Sequence, residues 1–258
     1  MFSAYYTVIP EEMRWESCAD ALLKLISPER ASLISRKSNT EKLLESLAAT
    51  RLFEQKASFI TGVPISDLTY KYGEKGKPEL GFDSEISFSL SHAKGLVAVV
   101  INYNEDRGPA PSCGIDCEDI PSALIKAEEH MKLAERFFGE GELGYIGCAE
   151  GTDRAARFLE VWTAKEAHAK LTGKGIFGEI SCKDLFVPKD SGEHIYSDGL
   201  HLTVFKTSDA VISVAVDEPR ESMPYDILEV PFEDLFKERK LPFWMMRDSK
   251  QLDNDLYF

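Results

Sequence analysis

The stretch from Phe158 to Gly175, FLEVWTAKEAHAKLTGKG, constrains this chain more than any other. Its apolar residues recur at helical spacing and a glycine-lysine-glycine sequence follows them, so it predicts one largely buried helix. Lys165 and Glu166 fall on the two flanks of the apolar stripe, and Lys170 follows Glu166 after one helical turn. Charged groups at the edge of a buried stripe are costly unless something pairs with them. The helix is therefore the place to look for a functional site.

Composition limits the class of protein. A chain of 258 residues suits one large domain or two small ones with an ample core. The net charge of −14 argues against nonspecific binding to nucleic acid or to an anionic membrane surface. The 5 cysteines lack the spacing of a disulfide framework. With no apolar run of membrane length and no signal pattern, we expect a cytoplasmic protein.

Hydrophobic periodicity predicts helices mixed with short strands. The predicted strands are residues 2–9, 86–90, 96–101, 113–120, 182–187, 200–206 and 211–216, and the predicted helices are residues 11–26, 28–37, 40–60, 121–138 and 158–175. Residues 91–95, SHAKG, are predicted as a polar connection between two strands. Residues 139–152 are rich in glycine and glutamate, which indicates a mobile excursion. The last forty or so residues are expected to wrap the body of the protein.

Two parts of the chain resemble each other. Residues 89–101 and 203–216 each read as a strand, a short polar turn and a second strand rich in valine and small residues. This similarity predicts two related α+β halves, residues 1–105 and 106–258, with the C-terminal tail wrapping back. The alternative is a coincidence between two valine-rich hairpins. If the halves pack as an internal pseudo-dimer, the protein is expected to be a monomer with its ligand site in the cleft.

Two carboxylates lie close together in one predicted strand. Asp116 and Glu118 are two residues apart, so both side chains point to the same face of the strand and repel each other unless a cation binds them. With Glu166 from the helix they supply three oxygen ligands of the kind that Mg²⁺ prefers. The alternative for Asp116 and Glu118 taken alone is a solvated strand face.

Four sequence blocks, in order, are similar to the signature blocks of the Sfp-type 4′-phosphopantetheinyl transferase family. They are GKP at 76–78, FSLSHAKG at 88–95, GIDCE at 114–118 and FLEVWTAKEAHAKLTGKGI at 158–176. ISPER at 26–30 and RFF at 136–138 also fit the family pattern. The resemblance implies an α+β fold of two similar halves related by pseudo-twofold symmetry.

The resemblance also implies a reaction. Coenzyme A would donate its phosphopantetheine arm to a serine hydroxyl of an apo acyl or peptidyl carrier protein, releasing adenosine 3′,5′-bisphosphate. Mg²⁺ held by Asp116, Glu118 and Glu166 would bind the diphosphate. Glu166, directly or through a water on the metal, would be the base for the serine proton. Lys165 and Lys170 would stabilise phosphate charge, with Lys170 the better match to the family's catalytic lysine.

The family's coenzyme A contacts extend into the first half of the chain. By resemblance they fall on Lys77, Ser91 and His92 for the 3′-phosphate, on Arg30 and Lys42 at further basic positions, and on Lys165 and Lys170 at the diphosphate. The sequence departs from the family at Ala93, where a serine is common. It also departs at Leu33, where a basic residue is frequent, so that Arg36 or Lys37 would have to hold the adenine end instead.

Other interpretations stay open from the sequence. The same acidic residues would serve a Mg²⁺-dependent coenzyme A phosphohydrolase that uses water as the nucleophile. A coenzyme A binding module without turnover is a further alternative, against which the intact set of acidic residues and Lys170 argues. For Lys165, the alternative is a stem along apolar surface with its head in water. The sequence does not indicate which carrier protein is served, although the segment after Arg136 is a natural docking candidate.

Overall fold

The structure is a computed structural model that describes residues 2–12, 15–73, 76–82, 85–104, 108–175, 182–185, 194–197, 200–217 and 227–237. Its helices and strands form an α+β fold, as the sequence predicts. None of the helices within these ranges is long and apolar enough to cross a membrane.

The first part of the chain builds a four-stranded sheet covered by helices. Its elements are β1 (Phe2–Val8), α1 (Trp15–Leu23), α2 (Pro28–Ile34), α3 (Thr40–Thr61), a 3₁₀ turn (Ile65–Asp67), β2 (Tyr70–Tyr72), β3 (Pro78–Leu80), β4 (Ile86–Ala93) and β5 (Leu96–Tyr103). Helix α3 begins after Asn39, whose side chain accepts a hydrogen bond from the Lys42 N–H, and it ends at Gly62 in the left-handed conformation. Its apolar residues form one core with β4 and β5.

The second part of the chain builds another four-stranded sheet with helices. Its elements are β6 (Cys113–Asp119), α4 (Ile120–Ile125), α5 (Ala127–Phe137), α6 (Glu140–Gly147), α7 (Gly151–Thr172), β7 (His194–Ser197), β8 (Leu200–Lys206) and β9 (Ala210–Val216). The sheet order is β6-β9-β8-β7, and all of its pairs are antiparallel. Helix α7 packs on β6 and β9 and ends at Gly173, again in the left-handed conformation.

A strand from the end of the chain completes the first sheet. Strand β10 (Ile227–Glu229) pairs in parallel with β1, which gives the order β10-β1-β5-β4. The buried guanidinium of Arg51 donates hydrogen bonds to the carbonyls of Leu235 and Lys237, at 2.8 and 3.0 Å. Residues 227–237 therefore lie against the first part of the chain, whereas the rest of the expected tail, residues 238–258, lies outside the described residues.

The two sheets meet through an apolar layer. Cys113, Ile115 and Cys117 of β6 contact small and β-branched residues of β1, β5 and β9 in one buried cluster. Because side chains alternate along a strand, Gly114 and Asp116 face the other way, toward α7. The pleat of one strand thus separates the inter-sheet core from the functional face. The twofold relation between the halves and the boundary at residue 105 stay predictions.

Several predicted segments differ from the structure. The connection at residues 91–95 is shorter than expected, because Ser91 and His92 pair with Ala98 and Val97 of β5 and only Lys94 and Gly95 form the turn. The helix predicted over residues 121–138 is divided at Lys126 into α4 and α5. Strand β7 was missed.

The prediction of a mobile excursion at residues 139–152 is wrong. This segment forms α6 and the start of α7. The Asp184 carboxylate accepts hydrogen bonds from the N–H groups of Gly141 and Glu142, at 3.2 and 3.0 Å, and so satisfies the first turn of α6. Residues 182–185, predicted as strand, make this contact from a turn. The remainder of that predicted strand, residues 186–187, lies outside the described residues.

Candidate active site

The largest described cavity lies between the two parts of the chain. It has a volume of about 620 Å³ and is lined by α2, α3, β3 and β4 on one side and by the last turns of α7 on the other. A smaller cavity of about 310 Å³ shares His92, Glu166 and Lys170 with it and extends to Asp116 and Glu118. The two cavities therefore form one continuous cleft, at the place where the sequence predicts a ligand site.

One end of the cleft is carboxylate-rich because β6 and α7 approach closely. A Cβ atom on Gly114 would lie 2.0 Å from the Ala167 carbonyl oxygen, so only glycine allows this contact. Asp116, two residues after Gly114 and on the same face of the strand, points toward α7. Glu118 lies two residues further along. Glu166 completes the lining from α7. Three acidic side chains that are far apart in sequence thus line one small cavity.

The environment of these carboxylates favours a bound cation. Burial, and then repulsion by Asp116, raise the pKa of Glu118 to about 7. The same two causes raise the pKa of Glu166. The Oδ2 atom of Asp116 is buried and has no hydrogen-bond partner among the described residues. Crowded carboxylates with an unsatisfied oxygen have the chemistry of a divalent cation site.

Lys170 occupies part of this end of the cleft. Its Nζ donates to Asp116 Oδ1 at 2.7 Å and to Ser91 Oγ at 2.9 Å, while Ser91 Oγ donates to the same Asp116 oxygen at 2.8 Å. Burial is the largest single influence and opposes the charged form, but the charge and hydrogen bond of Asp116, with the charges of Cys117 and Glu166, together outweigh it, so the pKa of Lys170 is raised. Lys170 therefore lies next to the carboxylates, as the sequence predicts. Ser91, which was predicted as a contact of the 3′-phosphate, instead bonds to Asp116 and Lys170.

The fit to Mg²⁺ is partial in this conformation. No group of three or more His, Cys, Asp or Glu side chains is close enough to share a metal ion in the part of the chain that the structure describes. The three carboxylates line one cavity without converging on a single point. Binding of a cation by all three would therefore require side chains of this site to move.

The other end of the cleft is cationic, and its donors end on neutral oxygens. Arg30 is 3.4 Å from the Tyr72 hydroxyl and 3.3 Å from Thr50 Oγ1, and its Nε is buried without a hydrogen-bond partner among the described residues. Lys37 donates to Ser46 Oγ at 2.5 Å. Burial, and then the charge of Arg30, lower the pKa of Lys37. Cations held by neutral groups keep capacity for an anionic ligand.

Two further predicted phosphate ligands line the same cleft. Lys77 donates to the Cys113 carbonyl at 2.9 Å, and burial lowers its pKa. His92 lies between the two cavities, with Nδ1 3.2 Å from Glu45 Oε2 and Nε2 3.4 Å from Ser46 Oγ. The structure thus brings Lys77 and His92 to the cleft together with Arg30.

The structure does not place Lys165 in the cleft, which corrects the prediction that it acts on phosphate. Its side chain is completely buried and lies 2.9 Å from Glu142 Oε2. It also donates to the Lys183 carbonyl at 2.6 Å. The reason is helical geometry. Lys165 and Glu166 differ by about 100° around α7, so their side chains leave the helix in different directions. Lys165 links α7 to α6 and to residues 182–185.

Lys42 is also outside the cleft. Its side chain is exposed at the first turn of α3 and does not line the described cavities. The cationic role predicted for this position falls instead to Lys37, which the sequence suggests only as a substitute for the residue missing at Leu33. Leu33 itself lines the cavity.

Sequence reasoning missed several polar residues of the cleft. Glu45, Ser46 and Thr50 are buried on α3, whose other buried residues are mainly apolar. Ser46 and Thr50 are four residues apart and share one face of the helix, which is a signal that the sequence offered. Trp162, predicted as a core residue, stacks on Phe158 and also lines the smaller cavity.

Comparison with known proteins agrees with these observations. Residues 112–215 match the model of the 4′-phosphopantetheinyl transferase superfamily. The match spans β6, which carries Asp116 and Glu118, and α7, which carries Glu166 and Lys170. It confirms the resemblance predicted from the sequence over residues 112–215.

Individual relatives extend the similarity beyond this segment. The chain is 28% identical over 156 residues to the 4′-phosphopantetheinyl transferase gsp of Aneurinibacillus migulanus, with 60% of each chain covered. It is 32% identical over 116 residues to a putative 4′-phosphopantetheinyl transferase of Synechocystis, with 44% of this chain and 43% of the relative covered. Both matches span less than two thirds of the relative's length. Sfp of Bacillus subtilis is 23% identical over 220 residues, 84% of this chain and 92% of Sfp.

Proposed function

We propose that this protein transfers the 4′-phosphopantetheine group of coenzyme A to a serine hydroxyl of an apo acyl or peptidyl carrier protein. The observation that carries the proposal is the cleft, which has crowded carboxylates at one end and, at the other, Arg30, Lys37 and Lys77 with hydrogen bonds to neutral oxygens. Coenzyme A is a long ligand with a diphosphate and a separate 3′-phosphate. A ligand of this kind would place its diphosphate at the carboxylate end and its 3′-phosphate among the cations.

Asp116, Glu118 and Glu166 would hold Mg²⁺ in this proposal. The orphaned Asp116 Oδ2 and the raised pKa values of both glutamates support this role, because a cation would relieve each of them. When bound, Mg²⁺ supplies positive charge to the diphosphate and to the charge that develops on it.

Glu166 and Lys170 would carry out the proton and charge steps. Glu166 lines both cavities, and this position supports a role as the base for the serine hydroxyl, directly or through a water. The serine oxygen attacks the β-phosphorus, and the proton of the serine hydroxyl passes to Glu166. The bond between the β-phosphorus and the bridging oxygen of the diphosphate breaks, with adenosine 3′,5′-bisphosphate as the leaving group. Lys170 would neutralise charge on the leaving phosphate once the ligand draws it from Asp116.

One assay tests the transfer reaction. The protein is incubated with coenzyme A, Mg²⁺ and a panel of apo carrier proteins, and each carrier is weighed by mass spectrometry. We expect one phosphopantetheine mass to be added, and we expect the addition to stop with excess EDTA and to resume when Mg²⁺ is restored. A carrier whose active serine is replaced by alanine serves as the control and should gain no mass.

The same assay separates the alternatives. Free phosphopantetheine without a modified carrier would indicate a phosphohydrolase, and measurable coenzyme A binding without turnover would indicate a binding module. A monomer is expected from size-exclusion chromatography with light scattering. The 5 cysteines, all of which lie in described segments, are free thiols, and a cytoplasmic location remains the expectation.

A further inference from the structure

A buried carboxylate lies directly behind His92. Glu45 is only 4% exposed, and its two oxygens have different partners. Oε1 accepts a hydrogen bond from the Gly95 N–H at 3.2 Å, and Oε2 lies 3.2 Å from His92 Nδ1. A carboxylate in this position only accepts, so Nδ1 must carry a proton. Glu45 thereby fixes the orientation of the ring, as well as the protonation of one of its nitrogens.

The second ring nitrogen of His92, Nε2, faces the hydroxyl of Ser46. The hydroxyl of Ser46 donates to the Lys42 carbonyl at 2.7 Å, so its proton is already used. The same oxygen accepts from Lys37 Nζ at 2.5 Å. His92 Nε2 lies 3.4 Å from the same oxygen. Glu45 and Ser46 therefore hold the imidazole ring from both of its nitrogens.

The Lys37 ammonium and the His92 imidazole thus converge on one neutral hydroxyl oxygen. His92, Lys37 and Ser46 all line the large cavity. An anionic oxygen accepts such hydrogen bonds more strongly than a serine hydroxyl does. Ser46 Oγ consequently marks the position toward which a phosphate oxygen would be drawn, with Arg30 lining the same cavity.

We propose that Glu45 is a positioning residue that orients the imidazole ring of His92 and aims its Nε2 at the 3′-phosphate of coenzyme A. This inference rests on the proposed function for the identity of the ligand. It adds a residue that touches no substrate and acts only through His92. Its consequence is discrimination, because a ligand without the 3′-phosphate would gain nothing from the pair.

The decisive variant is Glu45→Gln, which keeps the shape of the side chain and an oxygen for the Gly95 N–H. We expect KM for coenzyme A to rise about 10-fold, with kcat within about twofold, because a charge-assisted hydrogen bond to phosphate is weakened. The preference for coenzyme A over dephospho-coenzyme A should fall by a similar factor. Glu41→Gln removes the same charge from the exposed first turn of α3 and should leave both quantities unchanged.

A double-mutant cycle tests whether Glu45 acts through His92. His92→Ala should raise KM at least as much as Glu45→Gln does, and adding Glu45→Gln to it should change KM by less than about twofold. Additive effects of the two substitutions would overturn the inference, since they would show that Glu45 acts independently of the imidazole.

Spectroscopy and binding give readouts that do not need turnover. Nitrogen NMR of the unmodified protein should show the Nδ1 of His92 carrying a proton toward Glu45, and an Nδ1 without a proton would overturn the inference. By calorimetry, Glu45→Gln should reduce the preference for adenosine 3′,5′-bisphosphate over adenosine 5′-monophosphate about 10-fold. If that preference depends on Glu45 while no carrier is modified, the phosphate site stands and the transferase proposal falls. If carriers are modified but discrimination is unchanged by Glu45→Gln, the inference falls alone.

Discussion

Helices α3 and α7 face each other across the cleft and make opposite contributions to it. Each has 22 residues and each ends at a glycine in the left-handed conformation. On the α3 side, cations end on the hydroxyls of Ser46 and Thr50, whereas on the α7 side carboxylates crowd together and Lys170 is paired with one of them. The difference indicates that one side is prepared for an anion and the other for a cation.

Of the substitutions on the two sides of the cleft, removal of the carboxylate of Glu166 should have the largest effect on activity. Glu166→Gln keeps the size of the side chain but removes the proposed base and one proposed metal ligand. We expect kcat for carrier modification to fall by about 10²- to 10⁴-fold, with an unchanged circular dichroism spectrum. Near-normal transfer by this variant would remove Glu166 from the mechanism.

The two lysines of α7 sharpen the comparison, because only one faces the cleft. Lys170→Met should lower kcat by about 10²- to 10³-fold and leave the melting temperature almost unchanged. Lys165→Met should instead lower the free energy of unfolding by about 3–5 kcal/mol, because Glu142 is left buried and without its cation.

The pair Lys165→Met and Glu142→Gln provides the control, because glutamine keeps an acceptor oxygen where Glu142 accepts hydrogen bonds from the N–H groups of Gly139 and Leu185. The double variant should recover much of the stability lost in the single Lys165→Met variant, since the uncompensated buried charge is gone. Urea unfolding measures this recovery. Should Lys165→Met unfold like the wild type yet fail in transfer, Lys165 would return to the catalytic machinery.

The carboxylate end should also respond to pH in the metal-free protein. The pKa of Glu118 is raised from 4.5 to about 7, so the folded protein binds one more proton than the unfolded chain between these values. Its contribution to stability is therefore fully present below about pH 4.5 and is lost as the pH rises through about 7. The loss is at most about 3 kcal/mol.

Melting temperatures across this pH range, with EDTA present, check the prediction. Glu118→Gln should flatten the decline between about pH 4.5 and 7. Added Mg²⁺ should raise the melting temperature more at pH 8 than at pH 6, because at the lower pH the cation must displace a proton. Equal stabilisation by Mg²⁺ at both values would separate Glu118 from the metal site.

The smallest expected effect concerns the cationic side. Lys37→Ala should raise KM for coenzyme A about 10-fold, because Lys37 lines the cavity beside Ser46. Lys42→Ala is the matched control, because it removes the same charge from the exposed start of α3, and it should change KM by less than about twofold. The reverse ranking would mean that the bound ligand extends over the exposed end of α3.

The sequence by itself determined the elements that carry the site. Two spaced acids on a strand and an acid and a lysine one turn apart on a helix are local patterns, and local periodicity fixes which side of an element each residue takes. That is why β6 and α3 were predicted almost to their ends, although the start of α7 at Gly151 was missed, and why Asp116, Glu118, Glu166 and Lys170 were chosen correctly as neighbours in one cavity.

Only the tertiary structure decided which lysine of α7 faces the cleft. Both Lys165 and Lys170 were predicted to act on phosphate, but Lys165 pairs with Glu142 of α6 and Lys170 pairs with Asp116 of β6. Likewise, Glu45 is one more acid on a helix until the packing of α3 against β4 brings it to His92. The physical reason is that a buried charge is stable only beside a partner, so the position of the partner determines where the charged side chain lies. Such partners come from segments far away in the chain.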